Sequence, residues 1–110
     1  RWDNSFIVGQ SDGPMPVRGG VYSNPGSEQF IWKLNPDLDA TEFTTVFGNG
    51  PGDLDISPSA FLVDFCGNIY VSGWGGNILV ATDLMEDMPT TAAALQEDSP
   101  NGVDFYMIVL

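Results

Sequence analysis

The 110-residue sequence predicts an all-β chain in which short antiparallel strands recur as a repeat. Its apolar residues gather in six short runs rich in Val, Ile, Phe, Tyr and Trp, the residue types that suit a pleated, packed surface. Thirteen Gly and eight Pro fall largely between those runs, which favours turns over long helices. Two stretches of the chain then carry the same landmarks in the same order.

In chain order the expected strands are Ser5–Gly9, Gln29–Leu34, Glu42–Phe47, Ala60–Phe65, Ile69–Trp74 and Asp104–Leu110. The third shows the alternation of a half-buried strand, with Phe43, Thr45 and Phe47 on one face and Glu42, Thr44 and Val46 on the other. Asn35-Pro36-Asp37 marks a turn after Leu34. Cys66-Gly67-Asn68 is a tight hairpin turn between the fourth and fifth runs. Thr82–Met88 and Thr90–Gln96 offer at most a helical turn each, because Pro89 separates them.

The repeat fixes the organisation. Asn4-Ser5-Phe6-Ile7-Val8-Gly9 aligns with Asn68-Ile69-Tyr70-Val71-Ser72-Gly73, 64 residues on. Met15-Pro16 aligns with Met88-Pro89 at an offset of 73, the difference being an insertion around Asn77–Glu86. Phe30–Leu34 aligns with Tyr106–Leu110, and Gly26 with Gly102, both at an offset of 76. A full period begun at Ala60 has strands at Ala60–Phe65, Ile69–Trp74 and Asp104–Leu110, and a fourth where Glu42–Phe47 follows Gln29–Leu34 in the first copy. Four antiparallel strands per repeat make a β-propeller blade. The expectation is therefore about one and a half blades. Residues 1–50 would hold strands two to four of one blade, and residues 51–110 strands one to three of the next, with a long loop over 75–103. Arg1-Trp2-Asp3-Asn4 is neither a signal peptide nor a start methionine, and the last residues run apolar from Phe105 to Leu110, so both ends read as cut from something larger.

Charge narrows the partners. Fifteen acidic residues against three basic ones give a formal net charge of −12, which repels phosphate backbones and anionic headgroups. Nucleic acid and the membrane surface are therefore not expected as partners, and helical membrane insertion is not expected either, since no run approaches the roughly 20 apolar residues of a span. Cys66 is the sole cysteine, so no disulfide forms within the sequence.

The run from Ala60 through Asp64, Gly67-Asn68 and Ile69-Tyr70-Val71-Ser72-Gly73 resembles the core of the bacterial seven-bladed β-propeller repeat of the SBBP type. Met88-Pro89-Thr90-Thr91 to Leu95-Gln96 is similar to the loop that follows in that family, and Asp104–Leu110 to its next strand. Val71-Ser72-Gly73-Trp74-Gly75-Gly76 looks like copies in large surface proteins of Bacteroidetes associated with gliding motility. The resemblance spans nearly the whole chain in two copies, the first lacking its opening strand and the second its fourth. It implies a secreted or cell-surface, adhesin-like scaffold exported by type IX secretion, and it implies no catalytic activity.

The motif residues have physical roles. Gly67 can take a positive φ in the hairpin turn, and Asn68, like Asn4 in the first copy, can cap through its side-chain amide. Gly9 and Gly73 would leave room where neighbouring sheets crowd the backbone. Phe61, Val63, Ile69, Val71, Phe105 and Met107 would fill the space between stacked sheets, each burial stabilising by about 1.5–3 kcal/mol.

Residues with chemistry are few. Without His the chain has no Ser-His-Asp triad, no imidazole zinc ligand and no base poised near neutral pH. Cys66 has no basic neighbour in sequence to lower its pKa, so it reads as structural or cross-linking. The carboxylate pairs Asp37/Asp39, Asp53/Asp55, Glu86/Asp87 and Glu97/Asp98 read as solvated turns. Calcium is the one cofactor the sequence admits, at Asp53, Asp55 or Asp64, although no full EF-hand loop is present. Trp32 and Trp74 are the candidate ligand contacts, able to stack on sugar rings if exposed and otherwise packing within a blade.

The expected function is a non-catalytic propeller scaffold or binding module of an exported surface protein. Its partners would be other blades of the same chain, a protein or a glycan, met through loops 75–88 and 96–103. The alternatives are a carbohydrate-binding or carbohydrate-processing propeller and a purely structural spacer. No Ser-x-Asp-x-Gly-x-Thr-Trp box of the sialidase type is present.

Overall fold

The computed structural model describes residues 4–52, 54–75, 85, 87–95 and 103–110. They form β1 (Ser5–Gln10), β2 (Gln29–Leu34), β3 (Thr41–Phe47), β4 (Ser57–Val63), β5 (Ile69–Gly75) and β6 (Asp104–Val109), with no helix among the described residues. The strands make two antiparallel meanders of three, in the orders β1-β2-β3 and β4-β5-β6.

The all-β expectation is met, but the four-stranded sheet is not. Among the described residues a strand in the place of β3 is found only in the first sheet and one in the place of β4 only in the second. After β3 the chain does not add to that strand's open edge. Part of this edge is already taken: Thr44 and Arg18 exchange backbone hydrogen bonds of 2.9 and 3.2 Å, and the Asn24 N–H donates to the Val46 carbonyl at 3.0 Å. The chain instead crosses to the side of β1, where Gln10 Nε2 donates to the Ile56 carbonyl at 2.7 Å, and starts the second sheet. β4 begins at Ser57, three residues earlier than the apolar run suggests, with an irregularity of register between Pro58 and Ala60. A proline is tolerated there because β4 is an edge strand. It ends at Val63, because Asp64 turns the chain, leaving Phe65 exposed in the turn.

The sheets face one another across an apolar layer. Ile31, Phe47, Ile56, Ile69, Val71 and Met85 form its buried centre. Phe6 of β1 reaches Phe61 of β4 at a centroid distance of 5.6 Å and Phe43 of β3 at 6.4 Å. Phe61, Val63, Ile69 and Val71 fill the layer as expected, but Phe105 and Met107 do not. Register pairs Val71 with Ile108 and Gly73 with Tyr106, so the alternate residues of β6 point outward and stay exposed.

The two copies of the repeat pair in the same register. Phe6 opposes Lys33 and Gly9 opposes Phe30 in the first sheet. The aligned residues Tyr70 and Val109, and Gly73 and Tyr106, oppose each other in the second.

Candidate functional site

The Asp64–Asn68 turn is built around one carboxylate. Asp64 Oδ1 accepts from the Cys66 and Asn68 N–H groups at 2.8 and 2.9 Å. Its Oδ2 accepts from Asn68 Nδ2 at 2.7 Å and from the Tyr70 hydroxyl at 3.2 Å. Gly67 sits at φ 91°, where a side chain would be strained. The Asn68 side chain and the other donors hold the Asp64 carboxyl below its ordinary value, and Asp64 in turn pushes the Tyr70 phenol up. This carboxylate is committed to its own turn.

Asp55 is committed elsewhere. It is buried beside Gln29 at the junction of the two sheets. Gln29 Nε2 donates to the Phe47 carbonyl at 2.8 Å and to Asp55 Oδ2 at 3.1 Å. Gln29 Oε1 accepts from the Asp55 N–H at 2.9 Å and, more weakly, from the Ile56 N–H at 3.4 Å. The Asn49 N–H completes the knot, donating to Asp55 Oδ2 at 3.0 Å. Gly48, at φ 144°, lies so close that a Cβ would meet Asp55 Oδ2 at 2.5 Å. Burial raises the Asp55 carboxyl above its ordinary value, against the pull of its donors. Sequence reasoning placed Asp55 among calcium candidates and missed Gln29, because a Gln opening a strand carries no signal of burial.

The two carboxylates carry opposite pH dependences. Asp55, with a raised folded pKa, contributes stability below its ordinary 3.8 and loses it as pH rises through the raised value. Asp64, with a depressed one, contributes stability above 3.8 and loses it as pH falls through the folded value. Asp55→Asn keeps an acceptor for Gln29 and Asn49 but no charge. Its urea midpoint relative to the native chain is expected to rise as pH climbs above 3.8, while the disadvantage of Asp64→Ala is expected to shrink as pH falls below 3.8. Gaps that stay flat across those ranges would contradict both assignments.

Asp55 and Asp64 stand before and after β4, and Asp53 lies outside the described residues. Among the described residues no three His, Cys, Asp or Glu side chains come together as a metal site. Asp37 and Asp39 lie in the β2–β3 turn, where Asn35 Nδ2 donates to Asp39 Oδ1 at 2.8 Å. Of the remaining pairs only Asp87 is described, and loops 75–88 and 96–103 fall mostly outside the described residues.

The tryptophans do not converge. Trp32 is half-buried on the outer face of the first sheet, its Nε1 donating to Thr41 Oγ1 at 2.9 Å. Trp74 is exposed on the outer face of the second, edge-on to Phe105 at 4.7 Å. Two clefts are lined by other residues. One of about 500 Å³ opens where the sheets diverge, between Asn4, Phe6, Lys33 and Phe43 on one side and Val63, Asp64 and Cys66 on the other. Lys33 lies 2.5 Å from Glu42 and 5.7 Å from the Phe6 ring centroid, so its charge is already engaged. The other, about 380 Å³, lies over Val46 beneath Met15 and Val17. Met88-Pro89, aligned with Met15-Pro16, sits in the layer between the sheets, where Tyr106 donates its hydroxyl proton to the Pro89 carbonyl at 2.6 Å. Burial pushes that phenol up to about 12.

Gly9 and Gly73 differ in their surroundings. A Cβ on Gly73 would meet Ile56 Cδ1 and the Ser57 carbonyl oxygen, each at 2.8 Å, whereas one on Gly9 would meet only the Phe30 ring at 3.3 Å.

No family model, curated protein or solved structure matches the chain.

Proposed function

We propose that the chain is a non-catalytic scaffold of the β-propeller type, two neighbouring repeats of the SBBP kind within an exported cell-surface protein. The observation that carries the reading is the shared register of the two repeats: aligned residues oppose aligned residues in both sheets. Successive sheets also meet face to face, the way blades succeed one another around an axis. The sequence resemblance alone supplies the surface location, type IX export and the adhesin-like role.

The side chains with chemistry support scaffolding over catalysis. Asp64 holds a turn, Asp55 holds the junction of the sheets, and Cys66 is exposed in a turn with no basic neighbour in sequence. Carbohydrate binding is the second reading, favoured by the exposed Trp74 beside Phe105. A single platform made by both Trp32 and Trp74 is not available to it, because they lie on opposite outer faces. A spacer that binds nothing is the remaining alternative.

A density map of the intact parent particle, traced outward from both ends of this chain, tests the scaffold. Further three- or four-stranded sheets closing a ring are the expected result. Density that ends at Arg1 and Leu110 around a two-sheet domain would overturn it.

A further inference from the structure

The outer face of the second sheet is largely apolar and has no charged strand residue, the Asp64 carboxylate meeting it only at the Tyr70 hydroxyl. It presents Leu62 from β4, Tyr70 and Trp74 from β5, and Phe105, Met107 and Val109 from β6. On a chain of net charge −12, such a face with Leu62, Trp74, Phe105, Met107 and Val109 exposed calls for a partner surface.

The repeat says what that surface is. Through the alignment, Met107 corresponds to Ile31 and Phe105 to Gln29, yet Ile31 and Gln29 are 0% exposed while Met107 and Phe105 are 68% and 67% exposed. The face open in the second sheet is thus the one that the first sheet buries against its neighbour. The converse also holds. Ile7, 43% exposed on the outer face of the first sheet, corresponds to Val71, which is 1% exposed at the centre of the core. Each chain therefore carries counterparts of Ile31 and Gln29 on one outer face and of Val71 on the opposite one, while Phe47 of β3 and Ile56 before β4 have none.

We infer that a second copy of this chain docks on the outer face of its second sheet, presenting the outer face of its own first sheet in a head-to-tail contact. The contact repeats between chains the part of the internal packing that β1, β2, β5 and β6 make. Met15-Pro16, which overlies part of the first sheet's outer face, is no obstacle, because the aligned Met88-Pro89 sits in the internal layer. The paired strand residues of both faces are uncharged and Glu42 of β3 is held by Lys33, so the contact gains nothing from ion pairs and works against the repulsion of two acidic chains. Association should strengthen with added salt. The inference rests on the register argument of the scaffold reading but not on its test. In a closed ring neighbouring sheets of the same parent chain would take both faces, whereas in the 110-residue chain a second copy takes them. A monomeric chain would therefore end the docking proposal and leave the ring to the density map.

Sedimentation of the 110-residue chain with Met107→Glu and Ile7→Glu decides the matter. Both side chains are exposed, so both variants should retain the native circular dichroism, and Leu62→Glu serves as a second variant of the same face as Met107. The native chain is expected to form species larger than a monomer, more so at higher salt. Each variant alone is expected to be monomeric, because every head-to-tail contact needs one face of each kind. An equimolar mixture of the two should form a species of twice the monomer mass and stop there, since one intact pair of faces remains. A native chain that stays monomeric into the high micromolar range overturns the proposal. So does an Ile7→Glu variant that dimerises alone, which would mean that two second sheets face each other.

Discussion

Gln29→Leu is expected to cause the largest loss of stability of any single substitution that keeps side-chain volume. Leucine fills the space but satisfies none of the groups that Gln29 serves. The Asp55 N–H loses its 2.9 Å acceptor, the Ile56 N–H its weaker one, and Asp55 Oδ2 one of its donors, all at a buried junction. A buried group left without its partner costs about 1–3 kcal/mol, so the sum is about 3–5 kcal/mol. Small domains hold about 5–15 kcal/mol in total, and a loss on that scale should bring the urea midpoint down steeply. Gln29→Glu separates the effect from packing. It keeps the acceptor for Asp55 and Ile56 but sets a carboxylate against Asp55 Oδ2 and the Phe47 carbonyl. Its stability is expected to recover partly at acid pH, where one proton shared between the carboxyls restores a donor. If Gln29→Leu melts as the native chain does, the knot is not what joins the sheets.

The knot shows where the sequence stops being informative. Gln29 and Asp55 are 26 residues apart and belong to no apolar periodicity, so nothing local marks them as a buried pair. The strands were legible because β-branched and aromatic residues cluster between Gly, Pro and Asn, and the Asp64–Asn68 turn because Gly67 and Asn68 suit it. Pro58 hid the true start of β4, since a proline is admissible only on an edge and no single strand announces that it is one. The facing of β6 was the costliest error. Phe105-Tyr106-Met107-Ile108-Val109 is apolar at every position, so alternation cannot say which residues point inward. The repeat supplies the answer only once the structure pairs Phe30 with Gly9, because Tyr106 aligns with Phe30 and register then follows for the whole strand. The candidate sites fared differently. Asp55 and Asp64 are structural supports, and Trp32 and Trp74 lie on faces that no local pattern places on opposite sides.

Gly73→Ala is expected to destabilise the fold by about 2–3 kcal/mol, whereas Gly9→Ala, at the aligned position, is expected to change it by less than about 1 kcal/mol. A Cβ at residue 73 would stand 2.8 Å from the Ser57 carbonyl oxygen. That oxygen cannot withdraw cheaply, since Ser57 opens the ladder of β4 on β5 opposite Trp74. Ile56, whose Cδ1 would lie at the same distance, is buried and has no free space to enter. At residue 9 the neighbour is the edge of the Phe30 ring at 3.3 Å, a side chain that can shift by a few tenths of an ångström. Alanine there also narrows the unfolded ensemble, which offsets part of any residual strain. The two glycines occupy one position of the repeat, so a requirement of the strand itself would make both substitutions equally harmful. Unequal losses, read from urea midpoints at one pH, would instead trace the demand for glycine at 73 to the connecting segment Asp55–Ser57 pressed against β5, a contact made by one copy of the repeat and not by the other.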